Sequence, residues 1–266
     1  MSFFKKTLAS FGIGSARVDS IVQQEFLIAG EKANISIEVY GGSTAQDIEN
    51  IELKIYCRYF AEEKVESNSS EGGSQTETKK VSKNYVLASW TLPYAFTIEP
   101  GQHRQFDVEL DIPLNTPVSI GDTKVWLETG LDISLAKDPT DKDMLTVRPD
   151  RLLDGIFSEL EEQGLRIRQV ECEATSGFDM PFVQEFEFVP TTGPFHGVWR
   201  ELEIVLYRHP EELELWFEID RQKEGIKGML SSLLGKGELK RHLKLPLTLT
   251  EQEAGEKVIE YLKSTT

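Results

Sequence analysis

Four histidines and two cysteines are the side chains in this sequence best suited to hold a metal, and the acids are numerous enough to supply proton-transfer pairs. Spacing decides whether they do. His103, His196, His209 and His242 include no i,i+4 pair and have no cysteine beside them, so no ligand set is read from them. Cys57 and Cys172 lie far apart, lack ligand spacing and make no disulfide framework. No G-x-S-x-G elbow presents a nucleophile. The stretch "GMLSSLLGKGE" sets glycine beside Lys236 but lacks the four-residue spacing and the following Ser or Thr of a phosphate loop. Glu62-Glu63, Glu161-Glu162 and Glu211-Glu212 read as solvated charge, and nothing selects one pair for acid–base work. The residues thus point away from an enzyme and imply no cofactor and no metal.

Two stretches have the pattern of contact surfaces instead. Ile226, Met229, Leu230, Leu233 and Leu234 fall at i, i+3, i+4, i+7 and i+8, a helical stripe. Arg221 to Lys244 around it holds seven basic residues and two acids. A basic amphipathic helix docks on a partner groove or a membrane surface, and the same stripe also suits the core of its own domain. At the N-terminus Phe3, Phe4, Leu8 and Phe11 make one apolar edge beside Lys5 and Lys6. So short a helix needs something to pack on: its own domain, a second copy of the chain or a membrane.

The elements that position these residues are mostly strands. Ala33, Ile35, Ile37 and Val39 alternate with polar residues, as do Ile51, Leu53, Ile55, Cys57 and Tyr59. Ala61 to Lys80 is polar and aperiodic, which predicts a long hairpin loop. In "IEPGQHRQFDVELDIPLNTPVS" a Pro-Gly turn leads into Phe106, Val108, Leu110 and Ile112, and Pro113 and Pro117 end the strand. Leu152, Leu153, Ile156, Phe157 and Leu160 share a helical face, with Asp150 to cap its start and Gly164 to end it. Strand patterns then return through Val170–Ala174, Phe182–Phe188, Leu202–Leu206, Leu213–Ile219 and Leu243–Leu249, where Pro246 suggests a sheet edge. Thr250 and Glu253 form a capping box for a last helix to Lys263. The expectation is a mainly β chain: an antiparallel β-sandwich over 1–148, then over 149–266 a linker helix, a second sandwich and a C-terminal helix. Unpaired sheet edges on such domains are a common route to a homodimer.

Charge limits the partners. Net charge is −16, from 15 basic and 23 acidic residues in 1–150 and 14 and 22 in 151–266. Acidity this evenly spread repels nucleic acid and opposes anionic lipid. A peripheral membrane adaptor, using Phe3–Phe11 and the basic 221–244 segment, is therefore the disfavoured alternative to a protein-binding role. No run of apolar residues reaches the length of a membrane span, the first residues make a poor signal peptide, and two lone thiols suit a reducing cytoplasm.

The order I-x-P-G-x-x-x-x-F-x-V-x-L-x-I-P-x-x-x-P at Ile98–Pro117 resembles the first-domain strand of arrestin-like proteins. With "FFKKTLASFGIGSARVD", "LLDGIFSELEEQGLRIR", "QEFEFVPTTGPFHGVWRELEIV" and "EIDRQKEGIKGMLSSLLGKGE", the whole chain resembles the bacterial sporulation-control proteins of the stage-zero M type. That resemblance implies two arrestin-like β-sandwich domains and a non-enzymatic regulator of the onset of sporulation. Such a protein would act through protein contacts, including with the division and cytoskeletal machinery. Arrestins hold their domains with a buried charge network. No residue here matches it, and Asp150, Arg151 and Asp154 at the junction read as helix-start charges.

Overall fold

A computed structural model describes residues 15–68, 74–134, 138–221 and 241–264. The chain is mainly β with a C-terminal helix, as its alternation predicts. It divides into two compact units. Unit one comprises 1–57, 85–116 and 124–148, and unit two comprises 58–84, 117–123 and 149–266.

Unit one is built from alternating strands. β1 (Arg17–Val22), β3 (Lys32–Tyr40) and β7 (His103–Asp111) form an antiparallel sheet in that order. Ala33, Ile35, Ile37 and Val39 of β3 are fully buried, because period 2 sends them all to one face. β4 (Gln46–Asn68) and β8 (Lys124–Ile133) supply a second apolar set in Ile51, Leu53, Ile55, Cys57, Val125, Leu127, Leu131 and Ile133. β9 (Thr140–Met144) extends β8, and β6 (Phe96–Ile98) pairs with β4. β2 (Leu27–Ile28) and β10 (Val147–Arg148) pair in parallel. Between the sheets, Ser20 of β1 donates to Asp143 (2.8 Å) and accepts from Thr129 (3.0 Å). The Pro100-Gly101 turn holds Gly101 at φ 71, and β7 alternates as its residues predict.

The 61–80 stretch is a correction. β4 runs on to Asn68 and β5 (Ser74–Leu92) begins soon after, so most of the expected loop is paired strand. Its ladder rests on backbone hydrogen bonds and on side-chain pairs such as Lys83–Glu63 (2.6 Å). Glu62, Glu63 and Lys64 are all exposed, so no apolar period marks it.

In unit two, β11 (Leu165–Ala174), β12 (Phe182–Pro190), β13 (Trp199–Arg208), β14 (Glu212–Arg221) and β15 (His242–Pro246) form an antiparallel meander. β11 also touches β4 in parallel, at Glu173 and Phe60. β15 is the edge that Pro246 forecasts, but it ends there, and Leu247 and Leu249 follow outside the strand. One sheet face buries Val170, Phe186, Phe188, Leu202, Ile204, Leu213, Leu215 and Phe217. Among the described residues, two helices cover that face. α1 (Arg151–Glu162) is no free connector, since Leu152, Leu153, Ile156 and Leu160 join this core. α2 (Glu251–Ser264) adds Ala254, Val258, Ile259 and Leu262. The caps form as their residues dictate. Leu153 N donates to Asp150 Oδ1 (2.9 Å), and Thr250 and Glu253 exchange bonds at 2.8 and 3.2 Å. Gly164 ends α1 at φ 85, where a Cβ would stand 2.3 Å from the Thr192 carbonyl oxygen.

Candidate functional site

The opposite face of the unit-two sheet is unusual. Period 2 puts apolar residues on the helix side, so the alternate positions of β11 to β14 share the other side. Those positions are mostly acids. Register sets Glu187 opposite Glu203, and Glu203 opposite Glu218. Glu171 lies opposite Glu185, and Glu201 opposite Asp220. Like charges directly across a ladder oppose pairing.

Among the described residues, Arg168, Arg200 and Lys80 offset part of this charge. Arg168 contacts Glu187 and bonds Glu201 at 2.6 Å. The β11 bulge between Ile167 and Gln169 is what lets Arg168 sit among the acids. Arg200 lies 3.5 Å from Glu201 and 3.4 Å from Asp220. Lys80 of β5 contacts Glu171 and bonds Glu173 at 2.9 Å. Glu171, Glu173, Glu185, Glu187, Glu201, Glu203, Glu218 and Asp220 still outnumber them.

The acids are also poorly hydrated. Glu201 and Glu203 are only 7% and 8% exposed, and Glu185 Oε2 is buried with no hydrogen-bond partner among the described residues. Burial first, then the charges of Glu203, Glu173, Glu218 and Glu171, pushes the Glu185 carboxyl up to about 8. Burial, then Glu203, Asp220 and Glu201, raises Glu218 to about 7. A carboxyl that keeps its proton near neutral pH is one short of positive charge. Chemically this face is suited to take up further cationic groups, such as lysine and arginine side chains, and to release protons as it does so.

None of the site residues expected from sequence lies here. Ile226, Met229, Leu230, Leu233 and Leu234, with Phe4, Leu8 and Phe11, fall outside the described residues. In the sequence, Glu201, Glu203, Glu212, Glu214 and Glu218 alternate with the apolar residues of Leu202–Leu206 and Leu213–Ile219. Glu201 and Glu203 are buried: Glu203 stands between Glu187 and Glu218 across the ladder, and Glu201 is contacted by Arg168 and Arg200. The available signal was the recurrence of acids at outward positions on four successive strands. Cys57 and Cys172 are buried and not joined in a disulfide. No helix among the described residues is long and apolar enough to cross a membrane.

A family profile described as SpoOM protein matches residues 4–223. The chain belongs to the SpoOM family. It is similar to the sporulation-control protein Spo0M of Bacillus subtilis strain 168, with 35% identity over 240 residues, 90% of this chain and 88% of that protein. The crystal structure of B. subtilis Spo0M matches with a TM-score of 0.77 at 30% identity, covering 95% of this chain and 98% of that one. The stretches that resemble sporulation-control proteins therefore belong to a relationship that spans nearly the whole SpoOM chain.

Proposed function

We propose that this protein is a non-enzymatic regulator of the onset of sporulation that works as a protein-interaction adaptor in the cytoplasm. Its acidic sheet face receives a lysine- and arginine-rich segment of a partner, in the division or cytoskeletal machinery. The family relationship supports the regulatory role. The observation that carries the contact is the cross-strand row Glu187–Glu203–Glu218 beside Glu185, whose Oε2 is buried with no hydrogen-bond partner among the described residues. Such a row is costly to the free fold and is offset when positive charge arrives. The arrestin-like scaffold implied by Ile98–Pro117 serves here to present sheet surfaces and edges. A homodimer would use a strand edge rather than this face, since two acidic faces repel.

The test compares the intact protein with Glu203→Gln/Glu218→Gln in a sporulating host lacking its own family member. Sporulation frequency, salt-sensitive partner capture and thermal melting are measured together. The variant is expected to melt no lower than the parent, to lose captured partners and to change sporulation frequency. A well-folded variant with parental capture and parental sporulation would overturn the role of this face. Vesicle sedimentation that retains the protein through its basic segments, with no captured protein, would instead favour the membrane adaptor.

A further inference from the structure

At the edge of the same sheet, four side chains that are scattered in the sequence converge. His209 closes the turn from β13 to β14, its N–H bonded to the Glu212 carbonyl (2.9 Å). Its Nε2 lies 3.0 Å from Glu214 Oε2. His242, at the start of the neighbouring strand β15, places its Nε2 3.3 Å from Glu214 Oε1. Glu214 is thus held between two imidazoles, with its side chain only 14% exposed. One ligand atom each from His209, Glu212 and Glu214 falls within a 4.8 Å cluster. A positive charge already sits there. Lys244, opposite Glu214 in the register, reaches Glu212 at 2.6 Å and Glu214 at 3.6 Å.

We propose that His209, Glu214 and His242, with Glu212 as a fourth donor, bind a divalent transition ion of the zinc class and that the ion displaces the Lys244 ammonium. The donor set argues for that class. Two imidazole nitrogens with two carboxylates suit zinc, cobalt or nickel, whereas magnesium and calcium take all-oxygen shells. Geometry favours it too. Glu212 and Glu214 are two residues apart on one strand and so share a face, and β14 and β15 are bonded neighbours. Three of the donors therefore stand on paired backbone, and His209 is fixed by the turn. His209, Glu212 and Lys244 are partly exposed and line an open depression with Pro210, Glu211 and Pro246, which gives an ion access beside the more buried Glu214. Binding requires each imidazole to offer an Nε2 lone pair, with its ring proton on Nδ1. The ion would tie the edge strand β15 to the β13–β14 turn.

The test is a competition titration of tag-free, full-length protein with zinc and with cobalt against a chromophoric chelator. One equivalent is expected, with the cobalt absorption of a nitrogen–oxygen site. Affinity should fall at least about tenfold in His209→Ala and in His242→Ala. It should hold or rise in Lys244→Ala, which removes the competing ammonium, and stay unchanged in His103→Ala and His196→Ala. Circular dichroism on each variant confirms the fold. No stoichiometric binding, or parental affinity in folded His209→Ala and His242→Ala, would overturn the site. Loss of affinity in His103→Ala or His196→Ala alone would place the ion elsewhere and overturn it equally.

Discussion

Single carboxyls set the response of this protein to pH. Glu185 titrates near 8 in the fold, mainly through burial, against 4.5 when free. The fold therefore holds the proton more tightly than the unfolded chain does. The resulting stabilisation is complete below about pH 4.5, declines as pH rises, and is gone above about pH 8. The swing amounts to about 5 kcal/mol. Glu185→Gln should leave stability unchanged near pH 4 and raise it progressively to pH 9. Thermal melts across that range check this, and a parallel offset at every pH would rule it out. Asp143, raised to about 6 by burial and by its bond with Asp141, has the same sign but a smaller effect, since water screens it. Asp150 has a structural role: it caps α1 with one oxygen and pairs with buried Arg208 through the other (2.5 Å).

Among the elements, α1 and α2 cross in close backbone contact. A Cβ on Gly155 would stand 2.3 Å from the Glu251 carbonyl oxygen, and one on Gly255 2.7 Å from the Gly155 carbonyl oxygen. In an open helix Gly→Ala stabilises by about 1 kcal/mol. Here the helices must part, and both Gly155→Ala and Gly255→Ala should destabilise by about 1–3 kcal/mol. Denaturant melts decide the sign. Much of this level was legible in the sequence. Asp150, Gly164, Thr250 and Glu253 marked helix ends because caps depend on local chemistry, and β3, β7 and β14 showed because one face of each is apolar. The β4–β5 extension was hidden because it buries no such face. The acidic face was hidden because alternation looks the same whether outward glutamates meet water or one another. His209 and His242 meet only through the β14–β15 register, which no local spacing encodes.

At the scale of the whole molecule, the chain is interleaved. Residues 58–84 and 117–123 precede α1 yet belong to unit two. Gln184, only 7% exposed, depends on them. It accepts from Val118 N (2.9 Å) and donates to the Val118 carbonyl (2.8 Å) and to Thr123 Oγ1 (2.9 Å). Tyr59 stacks on Phe182 at 5.1 Å, and Val118 joins the unit-two core. A fragment of 149–266 would therefore keep its helices and meander but leave a buried amide without partners, at about 1–3 kcal/mol, and uncover Phe182 and part of the core. Domains this size are stable by only about 5–15 kcal/mol, so these losses weigh heavily together. The fragment should show far-ultraviolet dichroism without the near-ultraviolet signal of fixed aromatics, and should bind a hydrophobic dye. A chain that also carries 58–84 and 117–123 should restore cooperative melting. Were 149–266 alone to melt as sharply as the full chain, the interleaved segments would be accessories to unit two. Its sheet could then fold before the β4–β5 hairpin joined it.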